Sequence, residues 1–151
     1  IFAAAALRLI GHRPLLVDMK AWNDDDHVIA VYKTEGHWGA VAKSNFTVLR
    51  SREPVYRSVR ELIMSYFDFF FNVKGEKTLR SYSLPLDLTI FDKRNWETTD
   101  EDLEYIGDKI ESLHHFEVVT QSMISRLTPV SDIVLKAGLT GSRPEGLYKP
   151  E

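Results

Sequence analysis

Cysteine is absent from the 151 residues, which excludes disulfides, thiolate metal sites and a nucleophilic thiol within these residues. No apolar run approaches the roughly 20 residues that a membrane-spanning helix needs. A strong charge of either sign is missing too. The 19 Lys and Arg stand against 22 Asp and Glu for a formal net charge of -3, so no global field draws the chain to nucleic acid or to anionic lipid. There is no glycine-rich phosphate loop, no cofactor fingerprint, no internal repeat and no low-complexity block. We therefore expect no cofactor and no bound metal, neither a nucleic-acid nor a membrane partner, and a cytoplasmic location.

What is present is enough apolar material for one core: 44% of the residues are hydrophobic, and the length suits a single domain. We place that domain at residues 1–140. From Gly141 the composition turns to Gly, Pro, Ser and Lys, which predicts a mobile tail over 141–151.

The chain begins in mid-pattern with Ile1-Phe2-Ala3-Ala4-Ala5-Ala6-Leu7-Arg8-Leu9-Ile10, which reads as a helix whose beginning is missing, stopped by Gly11. Leu15 to Met19 reads as a buried strand. His27 to Lys33 and His37 to Lys43 are two more strands joined by Thr34-Glu35-Gly36, a three-residue connection that suits a hairpin with a bulge. Helical spacing follows in Val59, Leu62, Ile63, Tyr66, Phe67 and Phe70, an aromatic stripe expected to be core. Leu84 to Ile90 alternates like an edge strand containing proline. Thr98 and Glu101 stand at capping-box spacing before Leu103, Ile106 and Ile110, and Thr120 and Ser131 are caps for two shorter helices. The fold class expected is α+β.

Three carboxylates precede a histidine in Asp24-Asp25-Asp26-His27. Asp24, Asp26 and His27 offer oxygen and imidazole ligands for a divalent ion and hence a metal-dependent hydrolase, but adjacent side chains point in different directions, and a solvated acidic loop is the simpler reading. His114 and His115 read as cationic side chains near a helix C-terminus. A more specific arrangement comes from the hairpin. If Lys33 pairs with His37, His27 stands opposite Lys43, and Asn45 lies on the same sheet face, diagonal to His27 at roughly 7–8 Å. Ser44 points the other way in that register, and a one-residue slip exchanges the two. A histidine oriented by an amide is two-thirds of a Cys-His-Asn arrangement, in which the imidazole takes the thiol proton and the amide fixes its tautomer.

The alanine-rich helix followed by "PLLVDM", "DDDHVIAVY", "GHWGAVAKSNF" and "REPVYRSVRELIMSYFDFFFN" resembles bacterial proteins of the transglutaminase-like superfamily across most of residues 1–96. The resemblance implies a papain-like α+β fold, with an N-terminal helix packed on an antiparallel sheet and further helices after it. It implies a cysteine at the N-terminus of that helix, a turn or two before Ile1, with the helix end aimed at the His27 ring. His27 matches the catalytic histidine that opens a strand. Asn45 takes the third position, with Ser44 as the alternative, because the family's usual aspartate does not follow the tryptophan-containing strand. The function implied is a thiol protease, amidase or acyl-transfer enzyme on a peptide or protein amide, inactive in these residues alone. The alternative is a non-catalytic binding module on the same scaffold.

Overall fold

Leu15–Ala21 forms β1, and its side chains divide between two cores. Leu15, Val17 and Met19 enter one cluster and Leu16 the other, because successive residues of a strand leave opposite faces. A strand covered on both sides needs a near-continuous apolar run, which is what "LLVDM" supplies. The computed structural model describes all 151 residues and is built around this strand. The other strands are β2 (His27–Thr34), β3 (His37–Val41), β4 (Arg52–Tyr56), β5 (Leu79–Ser83), β6 (Leu86–Asp87) and β7 (His115–Glu117). They form one sheet in the order β4-β3-β2-β1-β5-β7, with β6 also on β1, and every ladder is antiparallel. The fold is α+β.

One face carries α1 (Phe2–Leu9), whose Ala4 and Leu7 pack with Leu16, Ala30 and Trp96, together with α3 (Glu104–Glu111), which adds Ile106 and Ile110. Gly11 ends the first helix as expected: at φ 95° it lets its own N–H reach the Arg8 carbonyl at 3.0 Å and the His12 N–H reach that of Leu7 at 3.0 Å. The other face is covered by α2 (Val59–Met64), by Tyr66, Phe70 and Phe71, and by α5 (Asp132–Leu139), over Val17, Met19, Ile29 and Val31. The short α4 (Gln121–Ile124) is capped by Thr120, whose side chain accepts from the Met123 N–H. No helix is long and apolar enough to cross a membrane.

Several elements differ from the sequence reading. The β2–β3 connection has two residues, not three: Thr34 pairs with His37 and Lys33 with Trp38. Glu35 and Gly36 both take positive φ, at 49° and 83°, and such a turn matches the twist of its strands better than a bulged one. The stripe expected as one helix is α2 followed by a 3-10 turn over Phe67–Phe69. Before it, Arg52–Tyr56 is the edge strand β4, where Pro54 is tolerated. Of the 84–90 stretch only Leu86–Asp87 is strand. The helix after Thr98 starts six residues later, at Glu104. The segment expected to be a loose tail is tied to the domain by hydrogen bonds at Asn23 and Asn45.

Candidate functional site

The acidic loop is shaped by its own carboxylates. Asp26 Oδ1 accepts the Ala21 N–H at 2.8 Å, Asp26 Oδ2 pairs with Lys20 Nζ at 2.7 Å, and Asn23 turns the chain at φ 52°. Asp24 faces elsewhere, accepting the Thr78 hydroxyl at 2.8 Å. Burial pushes the Asp24 carboxyl above its usual range, against the lowering effects of that hydroxyl and of the Asp25 N–H, and the Asp25 and Asp26 charges push the same way as burial. The carboxylates thus diverge, and no three His, Asp or Glu side chains converge in a metal-binding group.

The loop delivers His27 to the first position of β2, paired with Met19. Its side chain leaves the sheet on the face of Ile29 and Val31, where the ring stands edge-on to Phe70 with centroids 6.3 Å apart at 69°. His27 Nε2 lies 3.2 Å from the Leu49 carbonyl oxygen. A carbonyl can only accept, so Nε2 carries the hydrogen and the neutral ring has its lone pair on Nδ1. Nδ1 has no protein partner and is not sealed from solvent. Burial lowers the His27 pKa; the bond to Leu49 and the Asp18 carboxylate oppose that shift without cancelling it. The result is a neutral imidazole near pH 7 with one nitrogen locked, on a residue that lines a cavity of about 180 Å³. Such a group can accept a proton.

The segment that carries Leu49 is held from several sides. Ser44 Oγ accepts the Phe46 N–H at 3.0 Å, starting a turn that runs into a 3-10 helix over Thr47–Leu49. Arg52 Nη2 donates to the Val48 carbonyl at 3.0 Å and Nε to Ser65 Oγ at 3.1 Å, while the guanidinium lies 4.0 Å over the Tyr66 ring. The Tyr66 hydroxyl donates to the Arg50 carbonyl at 3.0 Å, and burial raises its pKa well above the usual tyrosine value despite the opposing Arg52 charge. Leu49 and its clamp have no mark in the sequence, because a backbone acceptor leaves no residue-type signal.

Asn45 and Ser44 both line the His27 cavity, but neither is bonded to the ring. The Asn45 amide donates to the Gly146 carbonyl at 2.6 Å. The reason lies in the register. β3 ends at Val41 opposite Ala30, so continuing the ladder sets His27 against Ser44 and not Lys43, and the chain leaves the sheet before that pairing is made. The structure brings His27 and Asn45 to one cavity and gives the orienting bond to Leu49.

The helix expected to aim at His27 packs on the other side of the sheet: α1 covers Leu16 and Ala30, whereas His27 turns toward Phe70. His115 is not at a helix end either. It opens β7 and sits 3.3 Å from Oδ2 of Asp18, a buried carboxylate that also pairs with Lys20. No family model matches the chain, and no curated protein matches it.

Proposed function

We propose that the domain holds the base half of a transglutaminase-like thiol enzyme, on a papain-like version of its α+β fold, in a cytoplasmic setting, acting on a peptide or protein amide. The observation that supports this reading most directly is the His27 ring, with Nε2 bonded to Leu49, Nδ1 without a protein partner, and the residue on the wall of the cavity. A thiol brought to Nδ1 by a segment outside these residues gives its proton to the imidazole. The thiolate attacks the amide carbonyl, the imidazolium returns the proton to the departing amine, and water or a second amine releases the acyl group. His27 is base and then acid, and the Leu49 carbonyl holds its tautomer. The test uses the full-length gene product: its cysteine should be alkylated rapidly by iodoacetamide near neutral pH and slowly in a His27→Ala variant, where the thiolate loses its partner. Equal rates would remove His27 from the chemistry.

A second reading, a non-catalytic binding module on the same scaffold, is favoured by the position of α1 on the far face of the sheet. A full-length sequence without an upstream cysteine decides for it.

A further inference from the structure

One wall of the His27 cavity is the chain itself. Gly146, Leu147 and Tyr148 line it, in a strap that leaves α5 and crosses to the acidic loop. The strap is fixed at three places. Thr47 Oγ1 donates to the Thr140 carbonyl at 2.7 Å where it begins. In the middle the Asn45 amide donates to the Gly146 carbonyl at 2.6 Å. At the far end Asn23 accepts the Glu151 N–H at 2.9 Å and donates to the Glu151 carbonyl at 3.3 Å, an oxygen that Lys74 also reaches.

We propose that this strap is an intramolecular ligand lying in a groove for a peptide that enters as a tight 3-10 turn, the form Pro144–Gly146 takes in the strap, and that Asn45 is the specificity residue of the groove, reading a glycine followed by a large apolar residue. The Asn45 amide contacts only a backbone carbonyl, so the bond can be made to any peptide that comes close enough. Closeness is what selects glycine. A Cβ at position 146 would stand 2.5 Å from Asn45 Nδ2, so a side chain there pushes the exposed amide aside and weakens its bond to the carbonyl. The backbone does not impose the choice, since Gly146 is not among the residues with positive φ. The next residue, Leu147, packs half-buried against the main core cluster, which supplies an apolar subsite beside the glycine position. Asp24, Asp25 and Asp26 also line the cavity and disfavour an acidic residue in the bound peptide.

This deepens the thiol-enzyme reading by naming its substrate class, and it rests on that reading only for the chemistry, since binding is measurable without a thiol. The probe is a fluorescein-labelled peptide copying residues 143–149, followed by fluorescence polarisation. In the unaltered protein the strap competes with the probe. Gly146→Val weakens the middle anchor of the strap, and the probe should then bind severalfold tighter, because the groove is closed for less of the time. A peptide with valine in place of its glycine should lose that gain, as should the Gly146→Val protein that also carries Asn45→Ala. Should Gly146→Val fail to fold, as judged by circular dichroism, Leu147→Ser opens the same strap. Equal binding to the closed and opened proteins, or equal binding of the two peptides, overturns the proposal. Peptide binding together with a thiol insensitive to His27 keeps the groove and rejects the enzyme; a His27-dependent thiol without peptide selectivity does the reverse.

Discussion

The Leu49 carbonyl oxygen, 3.2 Å from His27 Nε2, takes the orienting role that the sequence assigns to the Asn45 side chain. Nitrogen-15 NMR should therefore find the Nε2-protonated tautomer at pH 7 and a titration midpoint below 6.5. Asn45→Ala should leave both unchanged. A switch of tautomer in that variant would return the orienting role to the amide.

The lowered His27 pKa has a defined sign in stability. Above the unfolded value of about 6.5 both states are neutral and the group contributes no pH dependence. As pH falls below it the unfolded chain takes up a proton that the folded ring resists, so stability declines until pH reaches the lowered folded value. Urea midpoints at pH 7 and pH 5 should differ less in His27→Gln than in the parent. Asp24 acts in the opposite sense, because its folded pKa is raised. Its charge is destabilising above that value and the penalty is relieved as pH falls through it. Asp24→Asn keeps an acceptor for the Thr78 hydroxyl and should raise the midpoint at pH 7; a lowered midpoint would mean that the carboxylate charge is needed.

Sequence periodicity reveals burial well and register poorly, and the site shows why. Leu15 to Met19 is legible because burial on two faces demands apolar residues at every step. His27 at the head of a strand is legible from the polar-to-apolar switch that follows Asp26. The hairpin fails by one residue, since Thr34-Glu35-Gly36 is compatible with two turn types, and one residue is enough to exchange Ser44 and Asn45 across the sheet. β5 escapes notice because Ser81 and Ser83 are buried polar residues. Ser83 repays its burial by accepting the Asp18 N–H at 3.0 Å and donating to the Leu84 carbonyl at 2.9 Å. Tertiary bonds of this kind, like that of Leu49 to His27, have no local signature.

Arg52 should control His27 from a distance. Its guanidinium holds the Val48 carbonyl, Ser65 and the Tyr66 face together, and Leu49 is the next residue along that segment. Arg52→Ala should cost about 1–3 kcal/mol in stability; loosening Leu49 removes a bond that raises the His27 pKa, but admitted water relieves the larger effect of burial, so the His27 midpoint should rise toward 6.5. Arg52→Lys keeps the charge without the planar fork, so it should recover little of either. A His27 titration indifferent to Arg52→Ala would show that Leu49 is held without the clamp.

Phe70 and Phe67 separate the core role of the aromatic stripe from a surface role. Phe70 is 1% exposed and edge-on to His27, so Phe70→Ala should cost about 3–5 kcal/mol and ease the desolvation of the imidazole. Phe67 is only half-buried and lies under Lys77 Nζ at 5.9 Å. Its truncation should cost clearly less. Equal losses from the two variants would contradict this difference in packing.

Two helix glycines give the last expectation, because their surroundings reverse the effect of the same substitution. Gly107 sits in α3 with nothing within 4 Å of a Cβ, whereas a Cβ on Gly138 in α5 would come within 2.7 Å of Phe71 Cζ and 3.5 Å of Phe46 Cδ1. Alanine in a helix interior is favoured over glycine by up to about 1 kcal/mol, so Gly107→Ala should raise the denaturation midpoint. At Gly138 the same gain meets two rings already packed edge to face, 5.5 Å apart at 85°, with Phe71 only 1% exposed. Neither ring can swing aside without opening the core, and overpacking of this kind costs about 1–3 kcal/mol. Gly138→Ala should lower the midpoint and, since α5 leads directly into the strap over His27, also increase hydrogen exchange at Gly146 and Leu147. A midpoint raised equally by both substitutions would mean that α5 rides loosely on Phe71, and the strap would then lack a rigid origin.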